Sequence, residues 1–241
     1  MKLRRHKNVV HQFDREKMLL SENSPFPVKE AFKTLRTNVM FSLPGTGGKC
    51  IGVTSSNRSE GKSVVSLNLA ISFAQLGKKV LIMDCDLRLP TVATKLNIPI
   101  KVGLSNYLAG TEEDNILRIY HRGAQNIDVV AAGSIPPDPT SLLSSEAMKS
   151  LIASLKKDYD YIILDFPPVF IVSDAVLLSD CVDGYLVVVR QNSSEYSKVD
   201  ETLRQMDFGN SKIIGFVYNG KTQDSMISKD SKYYKYYYYK K

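Results

Sequence analysis

The segment Cys50-Ile-Gly-Val-Thr54, which continues as Ser55-Ser-Asn-Arg-Ser-Glu-Gly-Lys-Ser63, decides the fold. An apolar run that passes through Gly-Lys-Ser into a helical pattern is typical of a phosphate-binding loop between a strand and a helix. Backbone N–H groups of such a loop attract phosphate oxygens. The pattern Gly-x4-Gly-Lys-[Ser/Thr] is met except that Ser56 replaces its first glycine. The alternative interpretation is an ordinary strand-to-helix turn.

Short β-branched runs alternate with longer helical patterns along the rest of the chain. This alternation predicts an α/β fold with a doubly wound, mainly parallel sheet and helices on both faces. The predicted strands are 50–54, 79–83, 127–131, 161–164, 185–189 and 213–218. The predicted helices are 62–75, 146–157, 175–179 and 196–206, the first stopping at Gly77. An apolar stripe predicts a further helix, 28–41, ahead of the first strand.

The composition suits one domain and excludes several classes of protein. The chain has 241 residues, of which 43% are hydrophobic and 24% charged, so wholesale disorder is excluded. The longest uncharged run, residues 63–77, is too short to span a membrane, which takes about 20 apolar residues. The N-terminus lacks the apolar core of a secretory signal. Cys50, Cys85 and Cys181 form neither a disulfide framework nor a metal-site spacing, so we expect a cytoplasmic protein.

Positive charge is concentrated at the two ends of the chain. The net charge is +7, and residues 1–20 and 221–241 each carry +4, which leaves the middle close to neutral. We expect a basic arm (1–24), a globular domain (25–220) and a flexible tail (221–241). The basic ends suit contact with anionic lipid, nucleic acid or a phosphorylated partner, or they simply aid solubility.

Carboxylates follow two further predicted strands. Leu81-Ile-Met-Asp84-Cys-Asp86-Leu-Arg88 ends one strand, and Ile162-Ile-Leu-Asp165-Phe-Pro-Pro168 ends another. Ligands of open α/β sheets gather at the carboxyl ends of strands, so these three aspartates are expected to meet the phosphate loop. Mg²⁺ prefers oxygen ligands and keeps several waters, which one direct and one more distant carboxylate would accommodate. A single aspartate after a strand, by contrast, is usually a turn former.

With these motifs, residues 25–241 resemble the bacterial tyrosine kinases of capsule and exopolysaccharide synthesis, in their separate Gram-positive cytoplasmic form. Residues 55–63 resemble the Walker A motif, 81–88 the Walker A′ motif and 162–168 the Walker B motif of that family. The segments 103–108, 136–143 and 213–219 are also similar. The resemblance implies a P-loop NTPase-like fold. The His-Arg-Asp and Asp-Phe-Gly signatures of eukaryotic kinases are absent from the sequence.

The resemblance also implies roles for individual residues, with ATP and Mg²⁺ as cofactors. The implied catalytic residues are Lys62, Asp84, Asp86 and Asp165, of which Asp84 would accept the tyrosine proton and Asp165 would orient a metal-bound water. Ser63 and Asp86 would hold the metal. The implied nucleotide-binding residues are Ser56, Asn57, Arg58, Ser59, Glu60, Gly61, Lys62, Ser63, Val64 and Asn219. Asn219 matches a position that reads adenine, and no guanine-reading Asn-Lys-x-Asp is present, so ATP is favoured over GTP.

The last nine residues hold six of the chain's 13 tyrosines: Tyr233, Tyr234, Tyr236, Tyr237, Tyr238 and Tyr239. A solvated cluster of this kind is a phosphorylation substrate, a nucleic-acid stacking surface or a lipid contact. The family resemblance favours the first. The 13 residues between Asn219 and Tyr233 reach about 45 Å when extended, enough to enter a neighbouring subunit's active site.

The helix before the sheet carries Glu30, Lys33 and Arg36, similar to the family's Glu-x-x-Arg-x-x-Arg oligomerisation motif. Spacing of three is expected to place them on one face, available to a neighbouring subunit. Lys33 replaces the central arginine and cannot form a bidentate fork. The resemblance implies a ring-shaped homo-oligomer, with an octamer as one size. The alternative is an ordinary solvated charged face.

The family resemblance implies an ATP-dependent tyrosine autokinase that phosphorylates its tail in trans and regulates polymerisation and export of capsule or exopolysaccharide. The resemblance implies a membrane activator, the polysaccharide co-polymerase adaptor, which holds the protein at the inner membrane face. It also implies a cognate phosphotyrosine phosphatase; no nucleic acid is expected. The alternative is a partitioning or positioning ATPase switch, but such proteins usually have a lysine where Asn57 stands. A lipid or nucleic-acid module would leave the three aspartates unexplained.

Overall fold

A seven-stranded sheet forms the centre of the protein. The structure, a computed structural model, describes residues 18–98, 102–111, 119–122 and 126–220. Most of the basic arm and the tail with its six tyrosines lie outside the described residues. The strands are β1 (Lys49–Ser55), β2 (Val80–Asp84), β3 (Tyr120–Arg122), β4 (Ile127–Val130), β5 (Tyr161–Asp165), β6 (Gly184–Arg190) and β7 (Ile213–Asn219).

The strand order is β3-β4-β2-β5-β1-β6-β7, and every neighbouring pair is parallel except β3 and β4. The predicted parallel sheet is therefore confirmed, with β1 lying between β5 and β6. The strands β1, β2 and β5 are buried along nearly their whole length, as continuous apolar runs require. In register, Asp165 pairs with both Val53 and Asp84, so β2 and β5 end at the same level and β1 extends two residues further, to Ser55.

Helices cover both faces of the sheet, as the alternating pattern predicts. Their bounds are α1 (Phe26–Ser42), α2 (Lys62–Ala74), α3 (Val92–Lys95), α4 (Leu104–Leu108), α5 (Pro139–Leu143), α6 (Glu146–Asp158) and α7 (Tyr196–Phe208). On one face α2 packs against the sheet and α1 packs outside it. On the other face lie α6 and the buried Met206 of α7. No helix among the described residues is both long and apolar enough to cross a membrane.

The sequence predictions missed the shortest elements. The antiparallel edge strand β3 has three residues, and α3, α4 and α5 have four or five, which is too short for a hydrophobic period to show. The helix predicted at 175–179 is a 3₁₀ turn, Val176–Leu178. The stop at Gly77 is confirmed: α2 ends at Ala74, and Gly77 (φ +74°) donates its N–H to the Ala74 carbonyl.

Candidate active site

The phosphate loop connects the end of β1 to the first turn of α2. Within the loop, Ser59 has a φ of +62° and Gly61 a φ of +96°. A Cβ atom on Gly61 would lie 2.0 Å from Asn219 Nδ2, so this position requires glycine. Ser59 adopts a left-handed conformation that side chains disfavour by about 1–2 kcal/mol. The loop is therefore held in its conformation by the structure around it.

The buried carboxylate of Glu60 holds the phosphate loop in place. The side chain of Glu60 is fully buried and accepts hydrogen bonds from Ser56 Oγ at 3.1 Å, from the Asn57 N–H at 2.9 Å and from Ser194 Oγ. Glu60 was expected among the nucleotide-binding residues, but its carboxylate points into the protein. Only its backbone can face a phosphate. Ser194 belongs to the connection between β6 and α7, which the sequence did not single out.

The ends of β6 and β7 add two further restraints on the loop. Arg190 donates from its guanidinium to the Ser59 carbonyl at 2.6 Å. Asn219 Nδ2 donates to the Glu60 carbonyl at 2.8 Å, and Asn219 Oδ1 accepts the Gly220 N–H. The predicted contact between Asn219 and adenine stays a prediction. Oδ1 has a second lone pair with which it can accept a further hydrogen bond. Arg58 is exposed, and Asn57 and Val64 are half-buried.

Lys62 and Asp86 meet at the mouth of the site. Lys62 Nζ lies 3.1 Å from Asp86 Oδ2, and the two side chains are only 13% and 6% exposed. The other oxygen of Asp86 accepts the Leu89 N–H at 3.0 Å. Next to Lys62, the Ser63 hydroxyl accepts a hydrogen bond from Thr91 Oγ1 at 2.9 Å. The structure thus brings together the two predicted metal-holding residues and the phosphate-loop lysine.

Asp84 and Asp165 lie deeper in the site than Lys62 and Asp86, and both are fully buried. Asp84 accepts the N–H groups of Thr91 and Val92 on one oxygen, each at 3.0 Å, and that of Asp86 on the other at 3.2 Å. Burial, together with the charge of Asp165, raises the pKa of Asp84. Burial also raises the pKa of Asp165, although Lys62 opposes this shift. Asp84 therefore holds the turn between β2 and α3 and has a raised affinity for a proton.

The oxygens of the site fit a magnesium ion shared with phosphates. Ser66 Oγ donates to Asp165 Oδ1 at 3.0 Å, whereas Asp165 Oδ2 is buried and has no hydrogen-bond partner within the part of the chain that the structure describes. No group of three or more His, Cys, Asp or Glu side chains that could hold a metal is found within the described residues. Mg²⁺ is usually held by one or two carboxylates together with substrate phosphates. Ser63 and Asp86 suit that arrangement.

A second hydrogen-bond network, which sequence reasoning missed, borders the crevice formed by Lys62, Asp84, Asp86 and Asp165. Arg88 Nε donates to Asp174 Oδ2 at 3.0 Å, and its terminal nitrogen donates to Thr140 Oγ1 at 2.8 Å. Thr140 in turn donates to Asp174 Oδ1 at 3.1 Å. Asp174 is buried, so its charge needs this arginine. Arg88 ends a recognised motif, but nothing local in the sequence marks its partners.

The three residues expected to form one oligomerisation face do not share a face. Lys33 Nζ pairs with Glu30 Oε1 at 2.8 Å, and both are at the surface of α1. Arg36 instead points inward, where it donates to the Ser72 carbonyl at 2.5 Å and the Ser72 hydroxyl at 3.3 Å. Burial lowers the pKa of Arg36. The expectation of a shared face is corrected for Arg36, while the role in oligomerisation stays a prediction.

Comparisons with known proteins agree with this geometry. A family model described as an AAA domain matches residues 48–203. The chain is 36% identical over 204 residues to the tyrosine-protein kinase YwqD of Bacillus subtilis, covering 85% of this chain and 84% of that protein. The solved kinase domain of the Escherichia coli tyrosine kinase ETK is 30% identical, with a TM-score of 0.76, covering 91% and 84%. The chimerical protein CapA2B2 is 32% identical, with a TM-score of 0.78, covering 85% and 89%.

Proposed function

The chain belongs to the bacterial tyrosine kinases, and from that membership we propose that it transfers the γ-phosphoryl group of ATP to its own C-terminal tyrosines, acting between subunits. The acceptors are Tyr233, Tyr234, Tyr236, Tyr237, Tyr238 and Tyr239. One observation carries this proposal: Lys62 and Ser63 of the phosphate loop converge with the strand-end carboxylates in one crevice.

The residues of the crevice have distinct tasks in this proposal. Backbone N–H groups of the phosphate loop and of the first turn of α2 bind the phosphates of ATP. Lys62, which is 3.1 Å from Asp86, turns its ammonium to the β- and γ-phosphates when the nucleotide enters. Ser63 and Asp86 would hold Mg²⁺, which would supply positive charge to neutralise those phosphates. Asp165 would orient a water beside them through Oδ2, which has no hydrogen-bond partner among the described residues.

Asp84 accepts the proton of the attacking tyrosine. A phenol has a pKa of about 10, so a carboxylate with a raised pKa is a better match for it than an ordinary one. Burial raises the pKa of Asp84 in this way. Because its oxygens are covered by the backbone of Thr91 and Val92, the tyrosine has to reach Asp84 past this turn.

The cellular setting rests on the resemblance. We propose that a membrane adaptor activates the enzyme and keeps it at the inner face of the membrane, and that a cognate phosphatase reverses the modification. The exposed pair of Glu30 and Lys33 supports a contact between subunits in a ring. Phosphorylation of the tail would then regulate polymerisation and export of capsule or exopolysaccharide. Six phosphates would add roughly 9–12 negative charges, which reverses the sign of the tail.

Labelled ATP with Mg²⁺ and two full-chain variants test the transfer. Lys62→Met keeps the tyrosines but lacks the phosphate-loop charge, and a second variant keeps Lys62 but has all six tail tyrosines replaced by phenylalanine. We expect neither variant alone to label its tail. The mixture should label the tail of Lys62→Met, which shows transfer in trans.

Three outcomes count against parts of this proposal. ATP hydrolysis by the wild type without label on tyrosine would favour a nucleotide switch instead. Label on Lys62→Met alone, as fast as on the wild type, would refute the role of the phosphate loop. Tail labelling by the wild type that is independent of protein concentration, together with an unlabelled mixture, would refute transfer in trans.

A further inference from the structure

A large apolar groove lies beside the active site, on the face of the sheet that carries α7. The groove encloses about 680 Å³ between the segment that follows β5 and the last two turns of α7. Phe170, Ile171 and Leu177 line one wall, and Phe208 lines the other, all with substantially exposed side chains. Phe208 is 92% exposed. Exposed apolar side chains gathered in this way mark a surface that binds a protein segment, a membrane or a ligand.

One wall of the groove is joined by hydrogen bonds to the strand that leads into the phosphate loop and to Arg88. Val169, at its upper end, donates its N–H to the carbonyl of Ser55 at 3.0 Å. Ser173, in the same wall, is followed by Asp174, which is bonded to Arg88 of the crevice. The groove therefore lies next to the site where we propose that the γ-phosphate is transferred.

The charges around the groove favour a basic occupant. The helix α7, which forms one wall of the groove, carries three acidic side chains, Asp200, Glu201 and Asp207, and two basic ones, Lys198 and Arg204. Of the two charged lining residues, Arg204 is paired with Asp200 at 3.0 Å. Glu201 has only a hydrogen bond from Gln205 at 3.5 Å and no cationic partner among the described residues. The unbalanced charge of the lining is therefore negative.

The tail of the chain has the matching chemistry. Residues 221–241 have a net charge of +4, and residues 232–241 contain only lysine and tyrosine. Tyrosine supplies a flat apolar surface, and lysine pairs with both carboxylates and aromatic rings. One such pair already exists at the rim, where Lys198 Nζ lies 6.0 Å from the ring centroid of Phe170.

The tail is also long enough to reach the groove of its own chain or of a neighbour. The tail starts after Asn219, whose carbonyl accepts the Gln191 N–H at 2.9 Å, a few residues before α7 begins. The 13 residues of α7 span about 20 Å. The 13 residues between Asn219 and Tyr233 extend to about 45 Å, about twice that length.

We propose that this groove, lined by Phe170, Leu177, Phe208 and Glu201, is a docking site for the unphosphorylated Lys/Tyr tail, which it presents to the active site. This inference rests on the proposed function, because it names where the substrate of that reaction binds. Docking raises the local concentration of acceptor tyrosines. Phosphorylated tyrosines meet the acidic surroundings with like charge, so the modified tail leaves the groove.

Site-specific photocrosslinking tests the docking without needing kinase activity. A benzophenone amino acid replaces Phe208 in the full chain that also carries Lys62→Met, and the matched control places it at Tyr196. Tyr196 lies on the same helix, is 87% exposed and does not line the groove. We expect crosslinks from position 208 to peptides of residues 229–241, and few from position 196. Equal yields from the two positions would overturn the proposal.

Charge reversal gives a second readout with its own control. Glu201→Lys should reduce the crosslink from position 208 about tenfold, because attraction to the tail's lysines becomes repulsion. Asp207→Lys makes the same change on another face of α7, outside the groove, and should leave the yield unaltered. Equal loss in both variants would point to net charge alone and refute the groove.

A kinetic split separates this inference from the proposed function. A kinase whose own tail tyrosines are phenylalanine phosphorylates Lys62→Met acceptor chains supplied at increasing concentration. Glu201→Lys in that kinase should raise KM for the acceptor about fivefold to tenfold and leave kcat unchanged. Tail phosphorylation with an unchanged KM would reject the groove but keep the kinase. Crosslinking without any tail phosphorylation would reject the kinase but keep the groove.

Discussion

Replacing Glu60 by glutamine tests whether the buried carboxylate holds the phosphate loop in shape. The carboxylate accepts hydrogen bonds from Ser56 Oγ, the Asn57 N–H and Ser194 Oγ. An amide has nearly the same shape but carries no charge, and its NH2 group can face only the hydroxyls of Ser56 and Ser194, which must turn to accept from it while the amide oxygen keeps the Asn57 N–H. A hydrogen bond to a charged group contributes about 1.5–3 kcal/mol, so Glu60→Gln should lower the free energy of unfolding by about 2–4 kcal/mol.

Urea unfolding measures the change in the free energy of unfolding. Titration with a fluorescent ATP analogue measures the change in nucleotide affinity. We expect the affinity for the analogue to fall by about tenfold, the equivalent of 1.4 kcal/mol, because binding must then order the loop. Ser194→Ala is the matched control, since it removes one donor and leaves the carboxylate bonded to Ser56 and Asn57. It should cost about 1.5 kcal/mol, the lower end of the range for a hydrogen bond to a charged group.

The double variant decides whether the two side chains act through each other. If Glu60 and Ser194 are coupled, the combined loss in Glu60→Gln with Ser194→Ala is about 1 kcal/mol smaller than the sum of the single losses. The reasoning fails if Glu60→Gln has the urea midpoint and nucleotide affinity of the wild type. Such a result would mean that the left-handed residues of the loop need no carboxylate beneath them.

Three further predictions concern single side chains. Ser59→Gly should raise the free energy of unfolding by about 0.5–1 kcal/mol in urea, because glycine accepts a φ of +62° without strain; a loss of stability would contradict this. Burial raises the pKa of Asp84 above 3.8, so its contribution to stability is complete below pH 3.8 and is lost as the pH rises through the folded pKa. Asp84→Asn should therefore flatten the fall in unfolding free energy between pH 5 and pH 7.5, and equal slopes would refute the shift. Arg36→Ala should cost about 1–2 kcal/mol in urea and Lys33→Ala less than about 0.5 kcal/mol, so equal costs would place both residues at the surface.

The position of the active site was predictable because parallel strands order their own ends. Once β1, β2 and β5 are recognised as buried parallel strands, the residues that follow them must lie at one edge of the sheet. The register confirms this consequence, since Asp84 and Asp165 pair directly across β2 and β5. Lys62 joins them because the loop after β1 can lead only into the helix that covers this edge.

The side chains that hold the site residues in place were not predictable, because they come from distant parts of the chain. Ser194 lies 134 residues from Glu60, and Asp174 lies 86 residues from Arg88. Each is a common polar residue in an irregular segment, and its role depends on how two loops meet in space. The left-handed conformation of Ser59 had no signal either, since glycine is the residue that usually marks such a position.

The error at Arg36 comes from treating a spacing of three as a full turn. At 3.6 residues per turn, each step of three falls about 60° short, so Arg36 lies about 120° around α1 from Glu30. That rotation brings Arg36 to the edge of the apolar stripe of Phe32 and Val39, and there its guanidinium meets the Ser72 carbonyl. Glu30 and Lys33, one step apart, stay together at the surface. A neighbouring subunit can therefore bind the exposed pair directly, whereas it gains Arg36 only if the bond to Ser72 breaks.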